Sequence, residues 1–209
     1  MKIMLQFGEL NITPSVVERL EELDYTPESL ASDVDYHKSA CEGNPSIYCG
    51  TYGKYNDGCL QGLWIDLTTF DDYEELLNFC YAIHADEADP ELDVQDWECM
   101  PTGLDGDDIF SEERFEQLKD YNALCEKYET DAVDAYLGIY NLDDLDRFEE
   151  RYQGKYDSER DFAEHIVDEC YDLDRLMGRL SYYFDYDAYA RDLFMEGYSF
   201  DDGYVFCTC

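Results

Sequence analysis

The chain has 209 residues, with 52 Asp and Glu against 14 Lys and Arg, a formal net charge of -38. Such an excess usually marks disorder, but a content of 45% hydrophobic and 16% aromatic residues, including 20 Tyr and 11 Phe, supplies apolar surface for a folded core. Repulsion excludes nucleic acid as a partner, and no apolar run approaches the ~20 residues of a membrane-spanning helix.

The acidity is not confined to a tail. Residues 1–45 carry a net charge of -6, 46–103 carry -12, 104–150 carry -12 and 151–209 carry -8. Nine Cys, an odd number without a C-x-x-C pair, and a start unlike a signal peptide point to reduced thiols in a cytoplasm, mostly packed as small hydrophobes. Cys207-Thr208-Cys209 is spaced for a soft metal, but two thiols are an incomplete ligand set, and no cofactor is expected.

In chain order, Met1–Leu10 predicts a short strand. Thr13-Pro14 and Thr26-Pro27 each open a helix, with Thr as cap and Pro at the first helical position, the second running to Tyr36 or Cys41. Ile47–Tyr52 and Leu60–Leu67 read as strands around a turn at Lys54–Gly58. Asp71–Ala85 reads as a helix facing inward through Tyr73, Leu76, Leu77, Cys80, Tyr81 and His84, and Leu92–Trp97 as a third strand. Ser111, Thr130 and Asn141 each head a helix, the last with Leu142, Leu145, Phe148 and Tyr152 as its stripe. Ser158 caps another helix, followed by helices over Leu176–Phe184 and Tyr186–Met195. Asp202-Gly203 then turns a hairpin between Tyr198–Phe200 and Tyr204–Phe206. The expected fold is α+β, an elongated chain of small subdomains: a helical extension (1–45), an α+β domain (46–103), a helical domain (104–150) and a C-terminal α+β domain with a hairpin (151–209). Tyr121, Tyr136 and Tyr171 fall at core spacing, whereas Tyr55, Tyr182 and Tyr183 are expected outside.

Repeated carboxylates are the strongest constellation. Glu112, Glu116 and Asp120 lie four apart, lining one helix face at ~6 Å intervals. Asp71, Asp72, Glu74 and Glu75, and then Asp86, Glu87, Asp89 and Glu91, have no neighbouring Lys in sequence. With Asp96, Glu98, Asp105, Asp107, Asp108 and Glu113 they form the expected contact surface, continued by Asp143, Asp144, Asp146, Glu149 and Glu150. Duplex DNA carries one negative charge every ~1.7 Å, so 38 charges match roughly 65 Å, or about 19 base pairs. The natural partners of such a surface are proteins built to hold nucleic acid. No calcium loop fits, because Ile109 and Phe110 stand where an EF-hand from Asp105 needs a ligand and Gly. His37, His84 and His165 are scattered outside any catalytic motif, so no enzyme is indicated.

The segments Tyr48–Gly58, Gly62-Leu63-Trp64, His84–Glu91, Gln95–Glu98, Phe148–Gly154, Tyr189–Leu193 and Gly203–Phe206 together resemble antirestriction proteins of the ArdA type, in order over about 46–206. The resemblance implies a DNA mimic that inhibits Type I restriction–modification enzymes by occupying the DNA-binding groove of the methyltransferase core. It also implies an elongated, curved homodimer of three small domains joined through the C-terminal part, acting in the cytoplasm without catalysis. The 45-residue extension and the many Cys depart from that pattern. The alternative from the residues alone is an acidic chaperone or sequestering module for basic nucleic-acid-binding proteins. A third reading is a cation-dependent hydrolase using clustered acids.

Overall fold

The computed structural model describes residues 1–40 and 42–208. The limit of the second predicted helix at Cys41 and the Cys209 half of the possible thiol pair therefore lie outside the described residues. The fold is α+β, and the chain divides into two compact units, Met1–Asn122 and Ala123–Cys209. No helix among the described residues is long and apolar enough to cross a membrane.

The first unit begins with a hairpin, β1 (Lys2–Met4) against β2 (Glu9–Asn11), where one strand was expected. Gly8, at φ 83°, lies in the connection and abuts the Gln61 side chain. Two helices follow, α1 (Pro14–Glu22) and α2 (Pro27–Ala40), both starting at the predicted prolines. The Thr13 hydroxyl accepts from Val16 N at 3.3 Å, and Thr26 Oγ1 from Ser29 N at 3.1 Å. Strand β3 (Ser46–Thr51) is buried throughout and passes directly into α3 (Tyr52–Asn56). A turn was predicted there, but Thr51 Oγ1 caps the segment by accepting from Lys54 N at 3.3 Å, and Gly58 at φ 74° ends it. Then come β4 (Leu63–Asp66), α4 (Tyr73–Ile83) and β5 (Leu92–Glu98), forming an antiparallel sheet of order β4-β3-β5. A 3-10 turn at Gly106–Phe110 leads into α5 (Glu112–Lys127), which contains the division at Asn122/Ala123.

Residues 1–40 are a layer of this unit's core. Leu10, Leu20, Leu30 and Val34 have no exposed surface. At 1.5–3 kcal/mol for each fully buried side chain, those four contribute on the order of 8 kcal/mol. Polar contacts fix the layer: Arg19 Nη1 donates to Ala85 O at 2.6 Å, and Asp66 N donates to His37 Nδ1 at 3.2 Å. The core face of α4 is Leu76, Phe79, Cys80 and Ile83, a 3–4 spacing. The predicted face was rotated from this: Phe79 and Ile83 were missed, while Tyr81 is exposed.

The second unit holds α6 (Thr130–Ile139), a 3-10 stretch at Leu142–Arg147, α7 (Phe148–Arg151), β6 (Tyr152–Lys155), α8 (Glu159–Cys170), α9 (Leu173–Met177), a 3-10 stretch at Gly178–Tyr183, α10 (Tyr186–Glu196), β7 (Tyr198–Asp201) and β8 (Tyr204–Cys207). Its sheet has the order β6-β8-β7, and the predicted Asp202-Gly203 turn joins β7 to β8 with both residues at positive φ, 44° and 88°. Four local expectations change. Glu129, not Thr130, takes the cap position of α6; Asn141 heads a 3-10 stretch and makes no side-chain cap bond. Tyr152, expected on a helical stripe, begins a strand. The helix expected over Leu176–Phe184 breaks at Gly178, whose φ of 57° and ψ of -131° lie outside helical geometry.

Tyr136, Phe148 and Phe206 form the aromatic centre of this unit at ring separations of 5.3–6.1 Å. The Arg151 guanidinium lies 4.1 Å from the Tyr140 ring and donates to Tyr136 Oη at 3.0 Å. Tyr171, expected in the core, is 50% exposed. All described Cys are free, and only Cys49 and Cys80 are buried. Cys59, Cys99 and Cys170 are exposed, contrary to the small-hydrophobe reading.

His37 is 3% exposed and packs its ring 5.5 Å from Phe70 and 4.7 Å from Phe79. Burial lowers its pKa from 6.5 to about 4, against an opposing pull from Asp66. The folded state thus favours neutral imidazole, so the contribution is full above pH 6.5 and is lost as pH falls towards 4. Relative to a His37→Asn chain, which keeps an acceptor for Asp66 N, the natural chain should lose roughly 3 kcal/mol over that window, read by urea unfolding at each pH.

Candidate functional site

A surface that imitates a polyanion needs carboxylates that are ordered, solvent-facing and not neutralised by the protein's own cations. Every carboxylate singled out from the sequence is exposed, except Glu87 and Asp144, which are half-buried. Many share one local setting. Glu74 and Glu75 occupy the first turn of α4, Glu112 and Glu113 that of α5, and Glu149 and Glu150 that of α7. Asp107 with Asp108, and Asp143 with Asp144, open the 3-10 stretches at Gly106–Phe110 and Leu142–Arg147. Unpaired backbone N–H groups at such starts favour negative charge by roughly 0.3–1 kcal/mol each, which offsets repulsion between neighbours.

At α4 the arrangement is reciprocal. Asp72 Oδ1 accepts from Glu75 N at 2.9 Å, and Glu75 Oε2 accepts from Asp71 N at 2.9 Å, so both side chains are held in place. The Lys119 ammonium donates to Asp71 O and lies 3.7 Å from Glu116. Among the described residues, no cation forms an ion pair with Glu74, Asp89, Glu91, Glu98, Asp105, Asp107, Asp108, Glu112, Glu113 or Asp120. Asp96 is exposed and turns its Oδ1 to Trp97 N at 2.9 Å, and Asp146 is exposed in the second unit. The acids at the start of the second unit are more often paired: Glu149 with Lys127, Glu150 with Arg147 at 3.6 Å, and Asp144 with Arg151 at 4.0 Å.

Asp86 and Glu87 have a different role from their neighbours. Lys54 Nζ lies 2.8 Å from Asp86 Oδ1, 3.2 Å from Glu87 Oε1 and 3.1 Å from His84 Nδ1. An ammonium can only donate, so His84 Nδ1 accepts and its Nε2–H faces Cys49 O at 3.4 Å. Thr51 Oγ1 closes the cluster by donating to Glu87 Oε1 at 2.7 Å. His84, Asp86 and Glu87 converge closely enough to hold a metal ion, but the Lys54 ammonium already fills that basket. The sequence reading missed Lys54. The signal was available: it is the sole Lys or Arg in residues 46–103.

Several glycines build the scaffold, Gly50 and Gly62 among them from the family-like segments. A Cβ on Gly50 would meet Gln95 Nε2 at 2.4 Å, one on Gly62 would meet Cys49 O at 2.4 Å, and one on Gly106 would meet the Trp97 side chain at 2.8 Å. These glycines permit close crossings of strand, loop and ring.

Removing the Lys54 ammonium should leave the Asp86 and Glu87 carboxylates side by side without a cation. Lys54→Met is therefore expected to cost about 2 kcal/mol in urea unfolding, and the added changes Asp86→Asn and Glu87→Gln to recover part of it. A Lys54→Met chain as stable as the natural one would show that the cluster contributes nothing to the fold.

A search of curated proteins found no match. Residues 47–206 match the family model described as antirestriction protein (ArdA), which leaves only the first 46 residues and the last three outside the match. With the Lys54 cluster, the glycine crossings and the closing hairpin all inside that span, the chain belongs to the ArdA antirestriction family.

Proposed function

We propose that the chain is a non-catalytic DNA mimic that inhibits Type I restriction–modification enzymes in the cytoplasm, by filling the DNA-binding groove of their methyltransferase core. The observation that carries this reading is the set of exposed carboxylates, among them Glu74, Asp107, Asp108, Glu112, Glu113 and Asp120, that pair with no cation among the described residues, on a chain of net charge -38. Carboxylates stand in for phosphates, the field steers the chain to a basic cleft, and occupancy excludes DNA. Residues 71–120 would form the main contact, with 143–150 adding to it.

Because charge is spread over many groups, inhibition should be graded. In a Type I cleavage assay, the inhibitory concentration should rise at least about tenfold between 50 and 200 mM salt. One Asp→Asn change should shift it less than about threefold. Amidation of Asp107, Asp108, Glu112 and Glu113 together should shift it more than about tenfold. Loss of all inhibition from one such change in a folded chain would refute a distributed mimic. A chaperone of basic proteins would instead bind free basic proteins and leave cleavage unchanged.

We also propose that the working form is a homodimer. What supports this is the stretch Arg175–Phe184, which contains two Arg and no acid in an otherwise acidic chain. It exposes Leu176 by 67%, Leu180 by 61%, Tyr182 by 89% and Tyr183 by 82%. A second copy can cover these groups without bringing its own carboxylates into apposition. Light scattering should give twice the mass of the chain, falling to the monomer for Leu180→Asp with Tyr182→Asp. An unchanged dimer would place the contact elsewhere.

A further inference from the structure

In the first unit a cleft of about 420 Å³ opens between α2 and α4. Helical spacing builds its walls. Asp33 and His37 are four apart on α2, with Tyr36 beside them, and Glu75 and Phe79 are four apart on α4. The two faces meet through rings: His37 lies 4.7 Å from Phe79, and Tyr25 lies 6.2 Å from Phe79. Each helix thus supplies one carboxylate above an aromatic floor. No Lys or Arg lines the cleft. Burial and the neighbouring Glu75 carboxylate raise the pKa of Asp33, and burial followed by Asp33 and Glu75 raises that of Tyr25, as expected where like charges share a site without a counter-ion.

We propose that this cleft binds an organic cation, an alkylammonium or guanidinium group, held between the Asp33 and Glu75 carboxylates and against the rings of Tyr25 and Tyr36. Aromatic faces attract such cations at about 0.5–2 kcal/mol per contact, and a carboxylate pair supplies charge and hydrogen-bond acceptors. A bare metal ion fits less well: among the described residues the converging metal-type donor set is His84, Asp86 and Glu87, not this one. One wall comes from α2, outside residues 47–206, and the other from α4, inside them. The site therefore depends on the N-terminal layer, and it is independent of the antirestriction reading because no restriction enzyme enters the test.

The test is calorimetric titration of the full chain with two probes, spermidine and N-acetyl-arginine amide, at about 150 mM salt to screen the general acidic field. The expected result is saturable one-to-one binding of at least one probe. Asp33→Asn should weaken it at least about tenfold, Tyr36→Leu several-fold, and Glu18→Gln, an exposed acid on α1, less than twofold. Tighter binding of spermidine would assign the site to free polyamines, and tighter binding of the arginine derivative to a protein side chain. Tyr36 is 55% exposed, so its variant carries the test should Asp33→Asn fail to fold. Absence of one-to-one binding by both probes, or a Glu18→Gln effect as large as that of Asp33→Asn, would overturn the proposal.

Discussion

Self-repulsion is the constraint around which this structure is arranged. With 52 carboxylates and 14 Lys and Arg, most acids have no partner, and each must sit where the fold tolerates it. Three devices meet that requirement. Acids are placed in water, with Asp66 the sole buried carboxylate among the described residues. They open helices and 3-10 stretches, where backbone N–H groups face them. A dense aromatic and aliphatic interior, including Phe79, Phe115, Tyr136, Phe148 and Phe206, supplies the cohesion that the surface withholds.

The few cations are used sparingly. Lys54 is drawn into the half-buried cluster of His84, Asp86 and Glu87, and Arg151 into the ring system of Tyr136 and Tyr140. Both act within one unit, tying a helix-and-loop segment to a strand or to its neighbouring helices. Spent on the outer acids instead, the same residues would have weakened the negative field of the surface.

Much of the fold was legible because local chemistry and tertiary packing agree. The Thr-Pro starts of α1 and α2, the short apolar run of β3, the alternation in β5 and the Asp-Gly hairpin need no long-range information. Discrepancies occur where distant contacts decide. Lys54–Gly58 looks like a turn until Thr51 caps α3, and Tyr152 looks helical until β8 pairs with it. Tyr171 had the right spacing for a core residue, but it falls just past the end of α8, where half of it faces solvent. Exposure of the acids was readable from charge alone, whereas the internal use of Asp86 and Glu87 required knowing that the Lys54 side chain returns to them across the fold.

The close crossings at Gly50, Gly62 and Gly106 separate what specifies the architecture from what faces the partner. Small residues and rings fix these crossings of the backbone, and outward carboxylates such as Asp89, Glu91 and Glu98 take no part in them. At those positions aspartate can be exchanged for glutamate at little structural expense, unlike at Asp72, whose Oδ1 caps α4. Sequence comparison accordingly registers the skeleton of the family more readily than the placement of its outward charge.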